Sequence, residues 1–509
     1  MKKKFYILFL CFFSISTIAQ VESVSIEDYF NKIKNDHKKL MFFLNAMPKG
    51  GDLHNHLDGN ASPQDILLYK NNKKLCVNKN TNAIIRKPYC YDYLRIENIK
   101  VKSQLYDILM DAWSMRHPNM PINFANAHFF SIFSKTYLGR VKNRGQTLSD
   151  TVVRAKNENI NYLELMVNPD EESVSSLVNK INNLKNYEKI KCYLLKAGIM
   201  ENVYKVEEQL NNIDNFKNNS LFCNTQFASK GCTVTVRYIY QVLREQNDMQ
   251  FFSQLLEAFL LVKDDKEVVG ITLVGNESSK LSIKSYKIQM KMIKFLRKEY
   301  PNVHITLHAG EIGLNSIKVL PQAARSHIQE AVEIADAERI GHGVDIVYEK
   351  NPLSLLKEMA NKNVLVEINL TSNKKILGIS SNAHPLPLYL QYGVPVTLST
   401  DDSGILGNNL TCEYFQAVTK FHVPYSVLKE FARNSLTFSF LDGDNFWLNF
   451  KNHIPVVACQ NQKFGNLHSS ASCSNFLMHS HKAEEQWLLE NQLYEFEKHK
   501  VKIVKEAHL

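Results

Sequence analysis

Two short stretches of the chain carry residue types that suit metal-assisted hydrolysis. His54 and His56 lie two residues apart, and in a strand that spacing points both imidazoles to one face, where a single metal ion can bind them. His308 ends the alternating apolar stretch Val303–His308, and Glu311 follows three residues later. An imidazole binds a metal and a carboxyl group transfers a proton. Together the two stretches predict a hydrolytic metal site, although either pattern alone is common by chance.

Further polar groups follow other short apolar stretches. Gly275 comes directly after one of them and offers a backbone N–H that no side chain covers. His342 lies between two glycines, and Asp401 and Asp402 present adjacent carboxylates, one for a metal and one for a substrate. Each has an ordinary structural explanation, such as a buried histidine bonded to the backbone or an aspartate that caps a helix. Their repeated position at the ends of apolar stretches favours one shared site.

The elements that must position these residues form a regular alternation. Short apolar stretches, each preceded by a helix-like segment after the first, predict parallel strands joined by helices. An α/β fold of this kind, a (β/α)8 TIM barrel, places its active site at the C-terminal ends of the strands, where the polar groups fall. The eight predicted strands are Leu53–His56, Tyr162–Val167, Val234–Ile239, Val268–Val274, Val303–His308, Arg339–His342, Val364–Ile368 and Val394–Ser399.

The N-terminal residues predict export. Residues 1–4 are basic, residues 5–15 are apolar, and small residues precede Gln20, so residues 1–19 read as a signal peptide. No other apolar stretch reaches transmembrane length. We therefore expect a secreted or periplasmic protein without a membrane anchor. Its predicted parts are a helical extension (20–47, with helix from Val24 to Ala46) and a barrel region (48–509), with insertions at about 71–95 and 186–231 and C-terminal helices at Tyr425–Phe440 and Glu484–Glu506.

Eight cysteines remain after this leader, an even number that permits disulfides in an exported chain. The pairs that would close short loops in polar segments are Cys76 with Cys90, Cys223 with Cys232, and Cys459 with Cys473. Free buried thiols are the alternative, and Cys412, in an apolar helix-like stretch, fits that description. The sequence has no CxxC pair, which argues against a cysteine zinc site.

Charge and aromatic residues narrow the possible partners. The net charge of +10 is spread along a chain of 509 residues without a dense basic block, so we expect no nucleic-acid partner. His468, His479 and His481 fit a solvated loop better than a metal site. The aromatic-rich segment 105–137 is expected to be core, with an apolar lid over a flat substrate as the alternative.

The motifs His54-x-His56-Leu-Asp-Gly, His308-Ala-Gly-Glu311, Gly-His342-Gly and Ser-Thr-Asp401-Asp402, in this order, resemble those of the adenosine deaminase family of metal-dependent hydrolases. The leader, the helical extension and the cysteine-bracketed insertion are similar to its secreted growth-factor-related branch. The resemblance implies one zinc ion per chain, a nucleoside substrate and a purine deamination, with a homodimer as a possible assembly.

The resemblance also implies a role for each site residue. His54, His56, His308 and Asp401 would hold the zinc. Glu311 would protonate purine N1, and His342 would orient the attacking water and help to deprotonate it. Asp402 would bond N7, the Gly275 N–H would contact N3, and Asp58 would hold the ribose 5′-hydroxyl. A carboxylate at the 5′ end repels a phosphate, so adenosine, and with it 2′-deoxyadenosine, is expected over AMP.

Two other functions are also compatible with the sequence. The chain could be an amidohydrolase that acts on a different amine, or a secreted nucleoside-binding or signalling protein without turnover. Loss of Glu311 or of a metal ligand would favour the second, and all of them are present. The cytidine-type zinc deaminases are excluded because the chain lacks their Pro-Cys-x-x-Cys motif.

Overall fold

Residues 25–507 are described by a computed structural model, apart from 87–89, 92–93, 118–119, 170–172, 179–185, 314–315, 317–324 and 466–467. The predicted signal peptide lies outside the described residues. Eight strands form one parallel sheet, labelled here in chain order. They are β1 Gly50–His56, β2 Ile160–Val167, β3 Thr235–Leu243, β4 Val268–Val274, β5 His304–Ala309, β6 Arg339–His342, β7 Leu365–Ile368 and β8 Val396–Leu398.

The sheet closes into a barrel, with its strands in the same order as in the chain. At the closure, Asn55 of β1 pairs in parallel with Asp401, just beyond β8. The His56 N–H donates to the Asp401 carbonyl at 3.1 Å, and the Asp401 N–H donates to the His54 carbonyl at 2.9 Å. This confirms the predicted (β/α)8 barrel. The same backbone bonds bring the first and last predicted metal-binding stretches side by side.

One strand end differs from its prediction in a way that matters for the site. β3 was predicted to end at Ile239, but it continues to Leu243. The predicted end is wrong because Tyr240 and Val242 remain buried and pair with Ile271 and Leu273 of β4. The longer strand carries Gln241 to the C-terminal mouth of the barrel.

Helices cover the outside of the barrel and pack against it, as in the helix Asp248–Asp264, where Phe251, Leu255 and Phe259 are buried. Those between strands are Pro63–Leu68, Gln104–Ala112, Ile122–Val141, Arg144–Asn157, Ser173–Val178, Tyr187–Lys196, Ile199–Ser220, Asp248–Asp264, Lys280–Glu299, His327–Glu333, Pro352–Lys362, Leu370–Leu377 and Leu386–Gln391. After β8 come Ser403–Leu406, Leu410–Phe421, Tyr425–Thr437, Ala471–Met478 and His481–Ala507.

The N-terminal extension consists of two helices, Ile26–Ile33 and His37–Ala46, where the sequence predicted one. The side chain of Asp36 accepts hydrogen bonds from the N–H groups of Lys38 and Lys39, so it starts a second helix. Phe43 of that helix contacts Tyr425 with ring centroids 5.6 Å apart. The extension therefore packs on the helices that follow the barrel.

The three predicted disulfides are confirmed: Cys76–Cys90, Cys223–Cys232 and Cys459–Cys473. Cys412 is free, as expected. Cys76–Cys90 fastens a small hairpin, Cys76–Val77 with Ile84–Ile85. A second hairpin, Trp447–Asn449 with Ile454–Pro455, lies beyond the barrel.

Among the described helices, none combines the length and apolarity that a bilayer crossing requires.

Candidate active site

The predicted metal ligands meet at the C-terminal mouth of the barrel. Nε2 of His56 lies 3.2 Å from Nε2 of His308 and 3.4 Å from Oδ1 of Asp401. Nε2 of His54 lies 4.0 Å from the same Asp401 oxygen. All four side chains are buried. Three imidazole nitrogens and one carboxylate oxygen therefore converge on one small volume, a donor set that suits Zn²⁺.

Hydrogen-bond partners of the other ring nitrogen, Nδ1, orient these histidines toward a common point. Nδ1 of His54 donates to Glu367 at 2.8 Å, and Nδ1 of His308 lies 3.0 Å from the hydroxyl of Thr272. Nδ1 of His56 lies 2.5 Å from the side-chain amide of Gln241. An imidazole held at Nδ1 presents the lone pair of Nε2 to a metal, and Nε2 of His54 is a buried atom without a hydrogen-bond partner in the structure. The described residues thus fit a zinc ion.

Sequence reasoning missed these three partners, and Glu367 is the one that left a signal. It is an acidic residue in the middle of the apolar stretch Val364–Ile368, where a charge is costly unless it is paired. In the structure its Oε1 lies 2.7 Å from Nε of Arg339, and Arg339 and His54 lower the pKa of Glu367 despite its burial. The pairing of Glu367 with His54 joins β7 to β1, which local sequence patterns do not reveal.

The backbone at the strand ends is unusual in ways that aim the side chains. His342 has a φ of 71° and Asp401 a φ of 61°, a left-handed conformation that non-glycine residues seldom adopt. A Cβ at Gly341 would lie 2.7 Å from the ring of His54, so only glycine lets that ring pack here. Strained residues and close approaches of this kind concentrate at functional sites.

The predicted proton-transfer groups lie beside the metal ligands. Nε2 of His342 is 3.6 Å from Oε1 of Glu311 and 3.9 Å from Oδ2 of Asp401. Burial, aided by Asp401, raises the pKa of Glu311. Burial and the neighbouring Asp401 raise the pKa of Asp402 well above its ordinary value. Both carboxyls are therefore disposed to keep a proton and to donate it to an acceptor.

Burial acts in the opposite direction on two of the histidines. It lowers the pKa of His56 to about 4, and it lowers the pKa of His308 well below its ordinary value. Neutral imidazoles are the form that binds metals, so this electrostatic setting favours ligation.

Glu277 holds the loop that carries Glu311. Its carboxylate accepts hydrogen bonds from the N–H groups of Gly310 at 3.0 Å and Glu311 at 2.7 Å, and it lies 2.7 Å from Nδ1 of His327. The hydroxyl of Thr272 supports His308, while Glu277 supplies a buried carboxylate below the loop.

A cavity of about 280 Å³ opens over these groups. One wall is aromatic, and the others bring together the metal ligands, the carboxyls and a glycine with a φ of 108°, Gly275. The segment 105–137 thus supplies an apolar cover, the alternative that the sequence left open. The lining includes His56, Asp58, Phe129, Phe130, Phe133, Gln241, Gly275, His308, Glu311, His342, Asp401 and Asp402.

Asp58 faces this cavity, but it is not a free carboxylate. Its Oδ1 and Oδ2 accept hydrogen bonds from Arg144 at 2.8 and 2.6 Å, and Arg144 lowers the pKa of Asp58 against the effect of burial.

The histidines of the C-terminal loop do not join the candidate metal site. Nδ1 of His479 bonds to the Asn475 carbonyl and Nδ1 of His481 bonds to Asp442, and neither residue belongs to the buried groups that could hold a metal.

Comparison with known proteins agrees with this site. Residues 217–446 match the adenosine deaminase family model. Adenosine deaminase from Escherichia coli is 29% identical over 192 residues, which are 38% of this chain and 51% of that protein, so the chain spans about half the length of the curated relatives it matches.

Solved structures share the fold. The N6-mAMP deaminase of Arabidopsis superposes with a TM-score of 0.51 and 20% identity, covering 79% of this chain and 96% of that chain. Arabidopsis ADAL in complex with IMP gives a TM-score of 0.51 and 20% identity, covering 78% of this chain and 94% of that chain. At this identity the likeness establishes the fold alone.

The fold and the site define an α/β-barrel protein with a buried, His-rich candidate metal centre. The matched sequence model narrows the class, because the same stretch contains His308, Glu311, His342 and Asp401. Over that stretch the chain is similar to the adenosine deaminase family.

Proposed function

We propose that this chain is an exported, zinc-dependent adenosine deaminase, which converts adenosine and 2′-deoxyadenosine with water into the inosine nucleosides and ammonia. The convergence of His54, His56, His308 and Asp401 beside Glu311 carries this proposal. A zinc ion held by these four residues would supply a nucleophilic oxygen near neutral pH by lowering the pKa of water. The remaining chemistry belongs to the side chains around it.

The purine ring has acceptor nitrogens, so its partners have to be donors. Glu311 in its protonated form donates to N1, and Asp402 in its protonated form donates to N7. The raised pKa values of both carboxyls support these assignments. As oxygen adds to C6, N1 takes the Glu311 proton. The attacking water brings two protons: one replaces the proton that Glu311 gave to N1, and the other goes to the amino group, which leaves as ammonia when the C6–N6 bond breaks.

The other residues orient the substrate. His342, beside Glu311 and Asp401, holds the attacking oxygen over C6. The φ of 108° at Gly275 supports a role for its N–H at N3, and the aromatic wall formed by Phe129, Phe130 and Phe133 is suited to an apolar purine face.

The structure alters the expected preference for adenosine over AMP, because the residue at the ribose end is paired. Asp58 can still accept a 5′-hydroxyl, but its pairing with Arg144 neutralises much of its charge. Repulsion of a phosphate is therefore weaker than a free carboxylate would produce. The preference for adenosine over AMP has to be measured, and Asp58→Asn is expected to raise the KM for adenosine with little change in kcat.

The three disulfides support the proposed export, because such bonds persist in oxidising compartments. N-terminal sequencing of protein collected outside the cytoplasm should begin near Gln20. Retention of residues 1–19 in protein from the cytoplasm would contradict the proposed leader.

The decisive experiment compares adenosine, 2′-deoxyadenosine, AMP and adenine as substrates, following ultraviolet absorbance and ammonia release. Turnover of the nucleosides that is lost after chelation and restored by zinc would support the proposal. Glu311→Gln should lower turnover by about 100- to 10,000-fold. Glu333→Gln is the matched control, because Glu333 is exposed and is bonded to Gln329. Zinc binding at the site without turnover of any of the four compounds would refute adenosine deamination.

A further inference from the structure

A chain of hydrogen bonds runs from His342 into the protein, away from the substrate cavity. One end of the Asn373 side-chain amide lies 2.9 Å from Nδ1 of His342, and the other end lies 2.9 Å from Nε2 of His384. The backbone N–H of Leu386 donates to Nδ1 of His384 at 3.1 Å. All three side chains are buried, so these bonds do not exchange freely with water.

The protons of this chain can be placed by counting donors and acceptors. A backbone N–H only donates, so Nδ1 of His384 accepts and carries no proton. An imidazole has at least one proton, and that of His384 is therefore on Nε2. The Nε2–H needs an acceptor, and its partner 2.9 Å away is the amide of Asn373.

This count fixes the orientation of the amide. In the structure Oδ1 of Asn373 faces His342 and Nδ2 faces His384, which would make both nitrogens of His384 acceptors. The two ends of an amide have nearly the same shape, and only their partners distinguish them. Turning the amide over lets Oδ1 accept from His384 and lets Nδ2 donate to Nδ1 of His342.

A second observation agrees with this orientation. If Nδ1 of His342 accepts a hydrogen bond from Asn373, the ring proton of His342 is on Nε2, the atom that faces Oε1 of Glu311 at 3.6 Å and Oδ2 of Asp401 at 3.9 Å. An N–H directed at the Asp401 carboxylate is attracted to it, whereas a lone pair there would be repelled. Nε2 of His342 has no other hydrogen-bond partner in the structure.

We propose that His384, acting through Asn373, holds His342 in the tautomer that has its proton on Nε2, so that His342 meets the attacking oxygen as a hydrogen-bond donor. Asn373 and His384 are then positioning residues. The catalytic meaning of this arrangement rests on the proposed deaminase function, but the tautomer itself does not. The role of His342 changes from helping to remove the proton of water to orienting the oxygen.

The test is a measurement of the protonated ring nitrogen in the zinc-loaded protein. Histidine labelled with ¹⁵N in the ring gives different nitrogen shifts for protonated and unprotonated positions, and the His342 signals are assigned by their loss in His342→Gln. We expect a protonated Nε2 and an unprotonated Nδ1. The opposite pattern in the wild-type protein would overturn the proposal, whether or not the protein deaminates adenosine.

Asn373→Asp extends the test because a carboxylate can accept at both ends but cannot donate. It should keep the bond from His384 and move the His342 proton to Nδ1, which appears as exchanged shifts of the two ring nitrogens. We expect kcat to fall by about 10- to 100-fold, the usual effect of losing a supporting hydrogen-bond partner, with little change in KM. Asn452→Asp, an exposed position, adds the same charge elsewhere and should change neither quantity. Unchanged His342 shifts in folded Asn373→Asp would count against the proposal, and the wild-type spectrum decides it if that variant does not fold.

Discussion

Replacing Glu367 with glutamine should weaken zinc binding although Glu367 does not contact the metal position. Its carboxylate has two acceptor oxygens, of which Oε2 accepts from His54 and Oε1 accepts from Thr306 at 2.9 Å. Nε of Arg339 lies 2.7 Å from Oε1 as well. A glutamine has one acceptor oxygen, so its NH₂ group must face a donor on one side.

The expected size of the effect follows from the bond to His54. A hydrogen bond to a charged acceptor is worth about 1.5 to 3 kcal/mol, and supporting partners of metal ligands typically change metal affinity by about 10- to 100-fold. We therefore expect the zinc dissociation constant of Glu367→Gln to rise about 10- to 100-fold, equivalent to about 1.4 to 2.8 kcal/mol. Thr272→Val removes a neutral hydrogen-bond partner of His308, so we expect it to weaken zinc binding by about 1 kcal/mol.

The assay is competition for zinc with a coloured chelator, which needs no turnover. Glu338→Gln is the matched control, because Glu338 also lies beside a histidine and an arginine, 2.6 Å from Nδ1 of His304 and 2.6 Å from Arg297. It lies at the N-terminal ends of β5 and β6, whereas the candidate ligands lie at the C-terminal mouth. Thermal unfolding with excess chelator reports damage to the fold itself. Zinc affinity of Glu367→Gln within twofold of wild type would refute the reasoning that this carboxylate supports His54.

Three further outcomes are expected. Glu311→Gln should retain its zinc, measured by metal analysis, while kcat falls by about 100- to 10,000-fold, the usual contribution of a positioned acid; loss of the metal instead would indicate that Glu311 is a ligand. Removing the Cys223–Cys232 disulfide with two serines should lower the free energy of unfolding by about 2.6 kcal/mol for a loop of 9 residues, measured with denaturant; an unchanged midpoint would contradict this. Burial raises the pKa of Glu349 from an ordinary 4.5 to about 7, so the folded state binds more protons between these values and stability should decrease as the pH rises from 4.5 to 7. Glu349→Gln mimics the protonated form and should be more stable than wild type at pH 8 by about 1 to 3 kcal/mol, with little difference near pH 4; equal pH slopes for the two proteins would show that another group titrates.

The sequence alone was sufficient for the features that depend on local patterns. Short apolar stretches predicted all eight strands, because a parallel strand in a barrel is buried on both faces. The polar residues at the ends of those stretches predicted His54, His56, His308 and Asp401 as candidate metal ligands, since every strand of a parallel barrel ends at the same mouth. Short spacing in polar segments predicted the three disulfides.

Only the tertiary structure decided which groups support these residues. The pairs Glu367 with His54 and Arg144 with Asp58 join residues 313 and 86 positions apart. The orientation of the Asn373 amide depends on partners from a strand end and a loop together. Periodicity reports which face of an element is buried, but not which neighbour meets it across the barrel. The candidate metal ligands could therefore be predicted from the chain, whereas their protonation and orientation depend on contacts that exist only after folding.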